Sequence, residues 1–302
     1  MGSSSSSDAV PSVLIIGGDS MIGGVLAATL DQAGTRHWAT TRRPAARSPD
    51  RPLIDLGSQH WSDLDTIEAD AACICAASAR LAQCHADPAG TEAVNVTGTL
   101  ALTRYLLARG TRVIHLSTNQ VLDGAIPVAP TERPVAPASV YGRQKAAAEA
   151  GLLDLASDGV TILRFAKVFG PEDTLLLGWR RDLLAATPIT PFSDMTAAPI
   201  SAHLAATAIL GLANARAAGL FQLSAARDIS YAELALALAG RLGADPDLVR
   251  PKLAGGPAIV STPPRYTSLD TSRLTALIGL AAPDPYAVLD LVATPHSVSG
   301  IS

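Results

Sequence analysis

The sequence predicts an α/β protein built on a Rossmann-type doubly wound parallel sheet, with a smaller C-terminal substrate-binding region. Short apolar runs alternate with stretches of helical periodicity, the pattern of a parallel sheet covered on both faces. The first run stops at a glycine-rich turn, Gly17-Gly18-Asp19-Ser20-Met21-Ile22-Gly23, that opens a helix. The residues able to do chemistry fall at the carboxyl ends of predicted strands, where such sheets bind ligands.

Residues 12–16 (SVLII) read as a buried strand. Ile22, Leu26 and Leu30 recur at spacing four and Gly34 stops the helix they define. Residues 36–41 form a second strand, and Leu53-Ile54 a third apolar run that leads into Asp55. Residues 62–68 read as a helix, 71–76 (AACICA) as a fourth strand, 92–109 as a long helix and 112–116 (RVIHL) as a fifth strand. Pro127, Pro130, Pro134 and Pro137 fill a loop before a helix over 139–156 and a strand over 160–163. Beyond Phe165 the alternation weakens. Isolated strands are expected at 188–192, 220–223 and 264–269, and helices near 201–215 and 231–242. No internal repeat is visible.

Composition excludes several classes. Aromatic residues make up only 4% of the 302, which disfavours stacking on nucleic-acid bases. The net charge is −4 and no Lys/Arg block is dense enough to follow a phosphate backbone. Three cysteines, Cys73, Cys75 and Cys84, are an odd count with two in an apolar run. That argues for buried reduced thiols in a cytoplasmic protein, not a disulfide framework or a zinc site. The opening MGSSSSS has neither the basic start nor the apolar core of a signal peptide. No apolar run reaches the roughly 18 residues of a membrane span.

In the first turn, Gly17 permits a tight bend, and Gly23 permits close packing of helix on strand. The helix start, with Met21 and Ile22, offers free N–H groups and partial positive charge to a pyrophosphate. Ser20 stands where a glycine is usual, and its hydroxyl could cap the helix or donate to a phosphate. The second strand ends in Thr40-Thr41-Arg42-Arg43 with no acidic residue in that stretch. Either arginine could clamp a 2′-phosphate, so NADP(H) is favoured and NAD(H) possible. Asp55-Leu56 could receive the adenine, and the small residues Ala76, Ala77 and Ser78 let backbone approach the coenzyme.

Tyr141 and Lys145 lie four apart, on one face of a helix. Carbonyl reduction needs a proton donor at the developing alkoxide. A nearby ammonium would lower the phenol pKa from about 10 and could also hold a coenzyme ribose. A hydroxyl at the end of the fifth strand could polarise the carbonyl: Thr118 first, Ser117 second. His115, inside an apolar strand, reads as a satisfied core histidine, and Asp123 serves the turn before Gly124.

Several segments carry a resemblance: GGDSMIG, AVNVTGT at 93–99, LSTNQVLDG at 116–124, PASVYGRQK at 137–145, ILRFAKVFG at 162–170, SDMTAAPIS at 193–201 and PPRYTSLDTSRL at 263–274. Their order over nearly the whole chain resembles the extended short-chain dehydrogenases, and most closely the dTDP-4-dehydrorhamnose reductases. The resemblance implies Tyr141 as proton donor, Lys145 as its partner and Thr118 as the carbonyl-binding hydroxyl. It places Asp55, Leu56, Ala76, Ala77, Ser78 and Asn95 around the coenzyme, and Asn119, Lys167 and Arg265 toward the substrate. The weakening of the alternation after Phe165 divides the chain into a tail (1–11, read as disordered), an NAD(P)-binding domain (12–165) and a mainly substrate-binding region (166–302). Some pieces of that last region should return to the sheet.

Two departures stand out. Such reductases tend to read STDYVFDG where this chain has STNQVLDG, and Lys167 stands where a tryptophan is frequent. Sugar-nucleotide dehydratases carry Thr-Asp-Glu here; Asn119-Gln120 supply neither that acid nor that base. The expected activity is NADP(H)-dependent reduction of a 4-keto sugar nucleotide by a cytoplasmic protein, with a homodimer open as its assembly. The alternatives are an epimerase using the same pair and a non-catalytic dinucleotide-binding subunit.

Overall fold

A computed structural model describes residues 11–155, 158–255 and 263–293. The expected tail, residues 1–11, lies outside these except for Pro11. In chain order the elements are β1 (Val13–Ile16), α1 (Met21–Gln32), β2 (His37–Ala39), β3 (Ala71–Ile74), α2 (Leu81–Ala86) and α3 (Pro88–Glu92). A π-helical turn (Ala93–Gly98) runs into α4 (Thr99–Ala108), followed by β4 (Arg112–Thr118), α5 (Val140–Leu155), β5 (Val160–Phe165) and β6 (Val168–Phe169). Then come α6 (Thr174–Leu184), β7 (Thr196–Ala197), β8 (Ile200–Ser201), α7 (Ala202–Asn214) and β9 (Gly219–Leu223). The last are β10 (Ile229–Ser230), α8 (Tyr231–Leu242), α9 (Ser272–Ile278) and α10 (Asp290–Ala293).

The main sheet is parallel throughout, in the order β2-β1-β3-β4-β5-β9. The chain winds first to one side of β1 and then to the other, so a crevice opens at the carboxyl ends of β1 and β3. Alternation along β1 shows how both faces are covered. Val13 and Ile15 pack with Leu26 and Leu30 of α1 and Ile209 and Leu212 of α7. Leu14 and Ile16 pack with Leu102 and Leu106 of α4 on the opposite face. Each such buried leucine or isoleucine is worth about 1.5–3 kcal/mol. A separate core, with Phe169, Trp179, Leu183, Leu234 and Leu238, holds α6 against α8. Ser230 and Glu233 start α8 with a reciprocal capping box.

Several expectations need correction. Leu53-Ile54 is not a strand: a single bridge joins Leu53 to Thr41. Two apolar residues between Pro52, which has no N–H, and Asp55 are too few for a ladder. Residues 62–68 give only a 3-10 turn, Ser62–Leu64. The Asp63 carboxylate there accepts from the Leu53 N–H (2.9 Å) and from Arg47, tying the turn to the loop before it. Residues 188–192 and 264–269 make isolated bridges only. At Thr267 and Ser268 the N–H groups go to the Asp228 carboxylate, at 2.6 and 3.3 Å, instead of to a strand. Residues 220–223, expected as an isolated strand, belong to β9 and add a sixth strand to the main sheet.

Candidate active site

The wall expected to hold the coenzyme is built mostly from backbone. Gly17 adopts φ 91°, and a Cβ there would stand 2.8 Å from the Ala76 nitrogen, so β1 and the end of β3 meet only with glycine at 17. Ser20 takes an ordinary extended conformation (φ −80°), which is why glycine is not needed. Its hydroxyl donates to the Gly17 carbonyl (2.7 Å) and accepts from the Gly23 N–H (3.1 Å). Of the two roles open to Ser20, the structure shows helix capping. Met21 and Ile22 occupy the first two helical positions, whose N–H groups have no carbonyl one turn back.

Gly17, Ser20, Arg42, Asp55, Leu56, Ala76 and Ala77 line one pocket over this turn. Met21 faces a neighbouring cleft beside Pro171 and Asp173, while Ile22 packs against the core. The Asp55 carboxylate accepts from the Gly57 N–H at 3.0 Å and shapes the pocket's far rim. Arg43 does not line the pocket. It donates to Asp19 at 2.6 Å.

Ser78 and Asn95 form a clasp. The Ser78 N–H donates to the Asn95 carbonyl oxygen (2.8 Å), and the Asn95 amide donates to the Ser78 carbonyl (3.0 Å) and to Gln144 of α5 (2.8 Å). Asn95 is therefore spent on joining the β3 loop to the helix of Tyr141. The π-helical turn aims it there, a frequent use of such turns.

The second wall begins at the carboxyl end of β4. Thr118, Asn119, Gln120, Tyr141 and Lys167 share a pocket with Met195, Tyr231 and Pro264. The Thr118 hydroxyl accepts from the Gln120 N–H at 3.2 Å. Ser117 points the other way, donating to buried Glu149 at 2.5 Å. Gly142 lets α5 seat against this loop, since a Cβ there would lie 2.3 Å from the Gln120 carbonyl oxygen. Lys167 rests its ammonium 4.8 Å over the Phe169 ring. Arg265 sits over Tyr266 and lines an adjoining recess that shares Gln120 and Pro264 with the main pocket.

Lys145 departs from expectation. Its amine donates to the Leu116 carbonyl (2.6 Å) and lies 2.6 Å from His115 Nε2, packed between α5 and β4. Burial brings its pKa down to about 7, against the opposing pull of Glu149. Burial, and to a lesser degree Cys84, pushes the Tyr141 phenol up from its ordinary value. The expected lowering of that phenol by Lys145 is therefore not found, because the amine is turned into the protein. His115 is buried, but only half satisfied: Nδ1 has no partner. Burial, then Lys145, holds its pKa well below the ordinary value. Asp123 serves its turn as expected, bonded to the Ala125 N–H (3.1 Å) and to Arg133.

Three contributors escaped the sequence reading. Asp19 accepts from the Thr41 hydroxyl (2.6 Å), Arg43 (2.6 Å) and Arg51 (2.7 Å) at the pocket over the glycine turn. Its place inside the turn was the available signal. Tyr231 brings a second phenol to the Tyr141 pocket, and Asp228 anchors the segment bearing Arg265; neither lies in a motif with a readable spacing.

The family described as RmlD substrate binding domain matches residues 11–293. The chain is 33% identical over 207 residues to a dTDP-4-keto-6-deoxy-D-glucose reductase of Streptomyces niveus, covering 65% of this chain and 68% of that one. It is 31% identical over 247 residues to a dTDP-4-dehydrorhamnose reductase of Mycobacterium tuberculosis, covering 76% and 80%. Its fold matches a dTDP-4-dehydrorhamnose reductase of Bacillus anthracis solved with NADP, at TM-score 0.81 and 18% identity over 93% of this chain and 96% of that one. It also matches MoeE5 solved with UDP-glucose and NAD, at TM-score 0.75 and 23% identity over 95% and 100%. Among the described residues no helix is long and apolar enough to cross a membrane, and no group of three or more His, Cys, Asp or Glu could hold a metal.

Proposed function

The chain belongs to the RmlD substrate-binding-domain family, and from that premise we propose that it is an NADP(H)-dependent reductase of a nucleotide-linked 4-keto sugar. One observation carries the reading. Thr118 and Tyr141 open into one pocket at the end of β4, beside the end of β3 where the glycine turn makes its closest approach. The residues of that turn fit a dinucleotide: a glycine no larger residue could replace, and two helical N–H groups free for a pyrophosphate.

When bound, the dihydronicotinamide supplies the hydride. The Thr118 hydroxyl donates to the ketone oxygen and holds it in line. Tyr141 gives its proton to that oxygen as the carbon is reduced, leaving an alcohol and a phenolate. An alkoxide is a far stronger base than a phenolate, so a phenol with a raised pKa still donates. Lys145 would hold the nicotinamide ribose if its amine turned from the Leu116 carbonyl, to which it donates at 2.6 Å. Residues 12–165 hold the coenzyme and 166–302 supply most of the substrate wall, with Met195, Tyr231 and Pro264 already at the Tyr141 pocket. Asn119 and Gln120 offer neither acid nor base, so elimination is disfavoured. The three free thiols suit the reducing cytoplasm.

Tyr141→Phe tests the assignment. Turnover should fall by about 10²–10⁴-fold while NADPH binding stays intact. Unchanged turnover rejects it.

A further inference from the structure

The coenzyme pocket carries a charge arrangement that the choice of NADP(H) does not explain. Arg42 faces the pocket with no acidic partner among the described residues, yet two nearby guanidiniums, Arg43 and Arg51, both converge on one carboxylate. That carboxylate is Asp19, which itself lines the pocket beside Thr41 and Arg42. Its Oδ1 accepts from both arginines, and its Oδ2 accepts from the Thr41 hydroxyl. Burial opposes its ionisation, but the bonds from Arg43 and Thr41 and the nearby positive charge outweigh that, bringing its pKa down to about 2. It is an anion at every physiological pH. Arg51 has a spare donor as well, because its Nε is buried without a partner.

We propose that Asp19 sets the discrimination between NADPH and NADH, by competing with a coenzyme 2′-phosphate for Arg43 and Arg51. This rests on the reductase reading above and deepens it. A phosphate placed beside Arg42 finds Asp19 on the same pocket wall, with Arg43 and Arg51 behind it, both bonded to that one carboxylate at 2.6 and 2.7 Å. It must share those guanidiniums and bear repulsion from Asp19. A ribose 2′-hydroxyl has the opposite experience. Asp19 Oδ2 receives one hydrogen bond from Thr41 and has room for a second, which the hydroxyl can donate. The same carboxylate thus penalises NADPH and assists NADH, while Arg42 pulls the other way. The unmodified protein is expected to bind the two coenzymes within about tenfold of each other.

Titration calorimetry of the full chain with NADPH, NADH and 2′,5′-ADP tests this. Asp19→Asn should tighten NADPH and 2′,5′-ADP by about fivefold and leave NADH unchanged or weaker. Arg51→Gln should weaken NADPH by a similar factor and leave NADH alone. It also serves if Asp19→Asn does not fold. A ratio of NADPH to NADH affinity that is unmoved by either folded variant, or that shifts toward NADH in Asp19→Asn, overturns the inference. Failure of the unmodified chain to bind either coenzyme is a different result: it removes the reductase reading, and this inference with it.

Discussion

The walls proposed to hold the coenzyme and the substrate in this cleft are held together by different means. At the coenzyme wall the decisive contacts are steric or close-range: Gly17 against Ala76 across two strand ends, and Ser20 closing the turn it belongs to. At the substrate wall they are polar and distant in sequence. Arg164 of β5 bonds Glu149 of α5 at 2.6 Å with both side chains buried, and reaches Gln222 of β9 at 3.3 Å. Gln222 in turn donates to the carbonyls of Ala129 and Asp270, while Asp228 grips Thr267 and Ser268. A backbone turn can be recognised from seven consecutive letters. A seam joining residues 149, 164, 222 and 270 cannot.

The difference can be broken or sharpened by mutation. The largest expected effect is at the seam: Glu149→Gln leaves the Arg164 guanidinium buried with a weakened partner and should cost about 3–5 kcal/mol in denaturant unfolding. A loss below about 1 kcal/mol would mean that the seam does not hold the substrate wall. Next, Thr118→Val keeps the shape but removes the donor at the carbonyl. It should lower kcat by about 10²–10³-fold with NADPH affinity unchanged. Parallel loss of coenzyme affinity would show that the two walls are not separable. Gly17→Ala should do the reverse, weakening NADPH and costing about 1–3 kcal/mol through the left-handed backbone and the clash with Ala76.

A further test is a pH slope. The folded-state pKa of Lys145 is depressed to about 7, so between there and the ordinary lysine value the unfolded chain binds more protons. Its contribution is therefore fully present above the ordinary value and is lost as pH falls toward 7. The stability difference between the unmodified protein and Lys145→Met should rise with pH across that window. A flat difference would place the amine in water, not against His115.

The legible parts of the molecule share a feature: the signal lay within one element and its cap. β1, α1, α5 and α8 follow from apolar period and a stop or start residue, and the glycine turn follows from spacing. The strand at 53–54 failed because two apolar residues carry no period. The direction of the Lys145 amine was not legible because i,i+4 spacing places two side chains on one face without fixing where each head points. Here the lysine folds back onto the Leu116 carbonyl while Tyr141 faces the pocket. Thr118 was ranked ahead of Ser117, and strand alternation sends Ser117 to Glu149 and Thr118 to the cleft. Asp19 was hidden because its partners, Thr41, Arg43 and Arg51, come from a different strand and loop.

The central claim is that this cleft moves a hydride from a nicotinamide to a sugar ketone with net consumption of coenzyme. Incubating the protein with NADPH deuterated at the transferred position and a nucleotide-linked 4-keto-6-deoxy sugar, then weighing the product by mass spectrometry, tests it directly. The account predicts one NADPH oxidised per sugar reduced and one deuterium retained on carbon 4. An isomerised sugar with no NADPH consumed, or a reduced sugar without the label, would contradict it.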